Sequence, residues 1–301
     1  MHSVLKRHWS LISLLLLLFA VACTGVTSSE SEGWVEDEGV SAATDAPEPT
    51  DEPEPTSVET AVSPQEDVTE EETAVSPNKD QIVTENGTTI FTTDDRGDRL
   101  RNLTSTWNTN WNLHTIDYAD ILSGGPPRDG IPSIDFPTFV SISEAEEWLV
   151  DVEPVIALEI NGDARAYPLH VITWHEIVND TVGDEPVVVT FCPLCNSAIV
   201  FERVVDGEVV EFGVSGLLRN SDLIMYDRTD ESLWQQFTGE GIVGNHSGKQ
   251  LTFLPSSLVS FADFKAAFPD GTILSRETGF NRAYGENPYA GYDTYDSPLS
   301  A

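Results

Sequence analysis

Two dipeptides constrain this chain more tightly than its composition does. Asn161-Gly162 separates the apolar run VIALEI (155–160) from ARAYPL, and Asp206-Gly207 separates AIVFERVV (198–205) from EVVEFGV (208–214). Asn-Gly and Asp-Gly supply the positive φ angles of a tight two-residue turn, so each pair predicts a hairpin. PVVVTF (186–191) is a short β-branched run and predicts a buried strand, and DLIMYDR (222–228) and KQLTFLP (249–255) read as further strands. Helical signals are few. Ser143-Glu144-Ala145-Glu146 reads as a capping box opening EAEEWLV. Ser260 caps FADFKAAF, whose Phe261, Phe264 and Phe268 share one face, and Pro269-Asp270-Gly271 ends it. Pro168 is placed to open a helix through LHVITWHEIVND. The expected class is α+β, a mainly antiparallel β-sheet domain with a few short helices.

Charge divides the chain. The net charge is −36, and between Ser28 and Asp80 the sequence is dominated by Glu, Asp, Pro, Ser, Thr and Val, with one lysine, Lys79. Such a segment buries too little apolar surface to offset its ordering entropy. A coil of about 50 residues spans roughly 40 Å, and self-repulsion and proline extend it. In front of it stand a basic head (Lys6, Arg7, His8), an apolar run from Leu11 to Val21, and Ala20-Val21-Ala22-Cys23. This resembles a bacterial lipobox, in which the signal is cut before the cysteine and the thiol is acylated. The run is too short and one-sided for a membrane span. The organisation expected is a lipoprotein signal peptide over 1–22, a disordered acidic stalk over 23–80 and one folded domain over 81–301. Cys23 is the expected lipidation site, and the alternative is a secreted protein with a free Cys23. The expected location is the outer face of the cytoplasmic membrane, or periplasmic or extracellular, with the membrane as a partner through the lipid. The acidic balance argues against nucleic acid.

A lipidated Cys23 leaves Cys192 and Cys195, in FCPLCNSAIVF, as the only other cysteines. Three readings of this CxxC stand open. The first is thiol–disulfide or peroxide-type redox chemistry. The residues after Cys195 are β-branched, so no helix N-terminus lowers a thiol pKa and the fold is not thioredoxin-like. Activation would come from neighbours such as Arg219, Arg228 or His175. The second is a zinc or copper site, Cys192 and Cys195 completed by a histidine. His114, His170, His175 and His246 are the candidates. His170 and His175 lie five residues apart, about 140° around a straight helix, so at most one serves. The third is a structural disulfide in a non-catalytic binding domain; so small a loop removes little chain entropy.

Other segments carry weaker signals. ILSGGPPRDGIPSIDF (121–136) is too rich in Gly, Pro and Asp for regular structure; it is either a functional loop or a cover over a sheet end. Arg219, Asn220 and Asp222 form either a polar rim near the cysteines or a hairpin turn with an internal salt bridge. Glu176 either orients His175 or, as favoured, sits on a solvated helix face. Trp174 and Trp234 read as core. Arg282, Tyr284, Tyr289 and Tyr292 read as tying down the tail rather than lining a pocket. No phosphate loop, nucleophile elbow or zincin helix is present.

ARAYPLHVITWHEIVNDTVGDEPVVVTFCPLCNSAIVFER, FGVSGLLRNSDLIMYDRTDESLWQQFTGEGIVG, GGPPRDGIPSIDFPTFV and NRAYGENPYAGYD together resemble an uncharacterised prokaryotic family, domain of unknown function 3179. The resemblance covers about residues 100–293. Some members are selenoproteins, which implies selenocysteine where Cys192 or Cys195 stands here. Selenium replaces sulfur where nucleophilicity or redox exchange matters, so the resemblance favours the redox reading and lowers structural zinc. It also implies a basic residue other than histidine where His170 stands, which weakens His170 as a ligand. Cys192 is then expected to attack and Cys195 to resolve, with the reverse order open, and His175 serves as base or charge partner. No cofactor is required on that reading. The implied partner is an unknown thiol, disulfide or small molecule.

Overall fold

The computed structural model describes residues 80–294. The expected signal peptide, the lipidation site Cys23 and all of the stalk before Asp80 lie outside the described residues. Among the described residues no helix is long and apolar enough to cross a membrane.

The expected class holds: the architecture is mostly antiparallel sheet with four short helices. Phe253–Leu254, Ser197–Glu202, Glu185–Cys192 and Ile177–Val182 form a four-stranded sheet in that order. A five-stranded sheet runs Gly241–Val243, Leu233–Gln235, Asp222–Asp227, Phe212–Arg219, Leu122–Ser123. A second five-stranded sheet holds Ser257–Ser260, Pro154–Ile160, Asp163–Pro168, Thr272–Leu274 and Phe139–Ser141. Its pairing of Thr272–Leu274 with Asp163–Pro168 is parallel.

The run PVVVTF is largely apolar and β-branched because both of its faces are buried. Val187, Val189 and Phe191 pack with Ile156, Leu158 and Tyr167 in one core. Val188 and Cys192 point the other way and pack with Phe212, Met225 and Trp234 in a second. Alternation along the strand therefore divides the run between two cores. Each valine fully removed from water here contributes roughly 1.5–3 kcal/mol. The same alternation sends Cys192 inward.

Both diagnostic hairpins form. Asn161 and Gly162 take φ of 52° and 87°, and Asp206 and Gly207 take 55° and 84°. The second hairpin is shorter than expected, pairing only Val204–Val205 with Glu208–Val209. KQLTFLP contributes only the two-residue strand Phe253–Leu254. The segment after Pro168 departs further. It makes one helical turn, Leu169–Ile172, and then enters the strand Ile177–Val182. Glu176 takes a left-handed φ of 59° at the junction, and six residues pair with Glu185–Thr190 beyond it. The long-range ladder overrides the local helical pattern. The capping box also sits two residues earlier than expected: Ser141 caps Ile142–Ala145 and Glu144 returns the bond. Ser260 caps Phe261–Ala267 as expected, burying Phe261 and Phe264.

Candidate functional site

Cys192 ends the strand Glu185–Cys192, and Ser197 opens the next, so the CPLC turn is the connection of a hairpin. Asn196 closes the turn with a positive φ of 50°. The two cysteines are inequivalent. Cys192 is 1% exposed, whereas Cys195 is exposed, and both carry free thiols. The Cys195 sulfur lies 3.1 Å from Ser197 Oγ and 3.3 Å from Asp222 Oδ1. The hydrogen bond shared with Cys195, followed by burial, pushes the Cys192 thiol up. The same bond, received from Cys192, holds Cys195 below the usual thiol range, against the opposing effects of its own burial and of Asp222. Cys195 is therefore the more readily ionised thiol of the pair and Cys192 the less.

Asp222 is the carboxyl side chain that meets the sulfurs. It is 5% exposed. Its Oδ2 accepts from the Gln235 side-chain amide and from Phe237 N at 2.9 Å, which leaves Oδ1 for Cys195. One carboxylate oxygen and both sulfurs all lie within 4.8 Å of one another. Of the expected rim, Asp222 alone touches the pair. Arg219 stands behind it, reaching Gln235 Oε1 at 3.5 Å and Asp120 at 3.5 Å. Asn220 and Ser221, with φ of 54° and 60°, make the tight turn joining Phe212–Arg219 to Asp222–Asp227. The turn half of the alternative reading is thus present, but the salt bridge of Arg219 goes to Asp120.

His175 is not assembled with the sulfurs. It is buried, its Nδ1 donates to Pro132 O at 2.7 Å, and its Nε2 accepts from Tyr284 OH at 2.6 Å. Burial lowers its pKa, so a neutral ring with both nitrogens engaged fastens the loop and the tail. Both ring nitrogens at position 175 are thus engaged by Pro132 and Tyr284 rather than by Cys192 or Cys195. The other histidines are also elsewhere. His114 bonds Ile116 O and Thr93 O, His170 adjoins Glu153, and His246 pairs with Asp227.

Glu176 corrects its expected solvated position. It is 6% exposed, lies outside any helix, and accepts from Tyr289 OH at 2.6 Å. Burial pushes its carboxyl up to about 7. It sits in a hollow of about 300 Å³ beside the CPLC turn, with walls from Ile131, Leu194, Val214, Leu217 and Leu223. Tyr289 and Tyr292 border the same hollow, so the tail both ties down and lines a pocket. Trp174 is half-buried rather than core, and its Nε1 holds Glu286 O at 3.0 Å. Trp234 is core. The loop 121–136 supplies Pro132 O to His175 and Pro126 and Ile131 to the hollow.

The family described as "Protein of unknown function (DUF3179)" matches residues 128–301. The chain belongs to this family. No curated protein matches the chain, and no solved structure does. The DUF3179 region holds both cysteines, Asp222, Glu176 and Tyr289, whereas Ser123, Gly124 and Pro126 of the hollow precede it. Sequence reasoning placed Asp222 in a rim near the cysteines but missed the burial of Glu176 in the hollow. The signal available for Asp222 was its position as the first residue after a turn, facing Arg219.

Proposed function

We propose that the Cys192–Cys195 pair performs thiol–disulfide exchange, with Cys195 as the attacking thiolate and Cys192 as the resolving thiol. This inverts the expected order. The observation that supports it is the asymmetry of the pair: an exposed sulfur held low by a donor from a buried one. In the cycle, the Cys195 thiolate attacks one sulfur of a partner disulfide. That S–S bond breaks, a Cys195–partner disulfide forms, and the departing thiolate takes a proton from water. Cys192 then loses its proton to Asp222, the carboxylate within 4.8 Å of both sulfurs. Its thiolate attacks the Cys195 sulfur, the Cys195–partner bond breaks, the Cys192–Cys195 disulfide forms, and the departing partner thiolate takes the proton back from Asp222. The partner gains two electrons, the chain loses two, and an external dithiol resets it. We place this chemistry on a lipid-tethered chain outside the cytoplasmic membrane, on the strength of the lipobox-like Ala20-Val21-Ala22-Cys23.

A second reading rests on one observation, the three ligand atoms of Cys192, Cys195 and Asp222 within 4.8 Å. Two thiolates and a carboxylate suit zinc or copper and leave a position open. Native mass spectrometry of the full chain, purified without reductant or chelator, separates the readings. Exchange chemistry gives an ion-free species about 2 Da light, restored by mild reductant, as two hydrogens leave on S–S closure. A stoichiometric zinc or copper adduct overturns it. If Cys195→Ser lowers the melting temperature but leaves exchange with a model disulfide intact, the disulfide is a clip.

A further inference from the structure

The hollow beside the CPLC turn has a use that the thiol chemistry does not absorb. Its walls are apolar, and no lysine, arginine or histidine lines it among the described residues. Glu176 reaches it with a carboxyl of which only Oε1 is bonded, to Tyr289. No hydrogen bond from a described residue reaches Oε2. Burying a carboxyl among apolar walls costs free energy. The backbone adds to that cost, because Glu176 holds φ of 59°, in the left-handed region that residues with a side chain seldom occupy. Two local penalties at one residue that faces a cavity point to a ligand that relieves them.

The chemistry of the walls selects that ligand. The protein carries a net charge of −36, so its field repels anions and draws cations. Tyr289 and Tyr292 offer aromatic rings at the border, which attract a cationic head. Ile131, Val214, Leu217 and Leu223 favour an apolar body, and about 300 Å³ admits only a small molecule. A neutral hydrogen-bond acceptor would leave the field and the rings without a role. We propose that the hollow binds a small organic cation, a primary ammonium on an apolar body, with the ammonium paired to Glu176 Oε2. The inference is independent of thiol exchange and does not require Cys195.

The test is calorimetric titration of the full chain with 2-phenylethylamine and, as the uncharged isostere, 2-phenylethanol, at about pH 8, where the amine remains protonated. The expected result is saturable binding of the amine at least about tenfold tighter than the alcohol. Glu176→Gln keeps the shape of the side chain and is expected to remove that preference. Ala290→Trp, at an exposed position on the border of the hollow, is expected to block both compounds and leaves Glu176 untouched. Circular dichroism of each variant checks that the fold persists. Equal or tighter binding of the alcohol overturns the proposal in favour of a neutral acceptor on a protonated acid. No saturation by either compound, or an amine preference that survives Glu176→Gln in a folded protein, also overturns it. Cys195→Ser is expected to bind the amine unchanged, so failure of the exchange chemistry leaves this result readable.

Discussion

The sulfur of Cys195 lies 3.3 Å from Oδ1 of Asp222, a carboxylate 5% exposed at the start of another strand. A negative charge so close opposes thiolate formation, while the bond from Cys192 favours it. The ionisation of Cys195 is set by this balance.

Removal of the charge at Asp222 shifts the balance one way. In Asp222→Asn the side-chain carbonyl can keep the bonds from Gln235 and Phe237 N, and the new amide turns toward Cys195. The pH midpoint for iodoacetamide alkylation of Cys195 is expected to fall, followed by mass spectrometry of the labelled peptide. In the parent protein Cys195 is expected to be labelled first, with Cys192 resisting until the chain unfolds. Equal labelling of both thiols in the native state would contradict the assignment of roles.

Glu176 gives stability a pH dependence of defined sign. Burial raises its carboxyl from 4.5 to about 7, so the native state holds the proton more tightly than the unfolded chain does. The stabilisation is complete below 4.5 and is lost as pH rises through about 7. The shift corresponds to about 3 kcal/mol. Urea unfolding of the parent and of Glu176→Gln at a series of pH values isolates it, since other groups cancel in the difference. The parent is expected to lose about that much relative to the variant across the window.

Asp227 is fully buried and accepts from Trp234 Nε1 at 2.9 Å, His246 Nδ1 at 3.2 Å, and the backbone N–H groups of Thr229 and Asp230. Burial opposes its charge, but the His246 and Trp234 bonds outweigh it and lower its pKa. The bond to Asp227 raises the pKa of His246. Asp227 therefore stabilises above its unfolded pKa of 3.8 and fails as pH falls through its lowered value. The His246 contribution is complete below 6.5 and is lost as pH rises through its raised value. Asp227→Ala leaves several donors unpaired and is expected to cost about 3–5 kcal/mol by denaturant unfolding at neutral pH.

Gly216 sits at the irregularity in Phe212–Arg219 with φ of 74°, and a Cβ there would fall on the carbonyl oxygen of Pro126. Gly216→Ala must displace the loop that lines the hollow. The expected loss is roughly 2–4 kcal/mol, with faster amide exchange confined to 121–136.

The sequence by itself determined what is local. Asn161-Gly162 and Asp206-Gly207 form their turns because their positive φ angles cost little at those residue types. The β-branched residues after Cys195 excluded a thioredoxin-like helix, and the quoted motifs carried the family. What the sequence left open depends on partners distant along the chain. The helix expected from Pro168 stops after one turn because Ile177–Val182 gains a complete ladder with Glu185–Cys192. That ladder turns Glu176 into the hollow and His175 toward Pro132 and Tyr284. Which cysteine is buried follows from strand alternation between two cores, and which charge meets Cys195 follows from the pairing of separate sheets. Residue type carries conformational preference. Burial and proximity, which decide protonation and reactivity, arise only when the sheets pack.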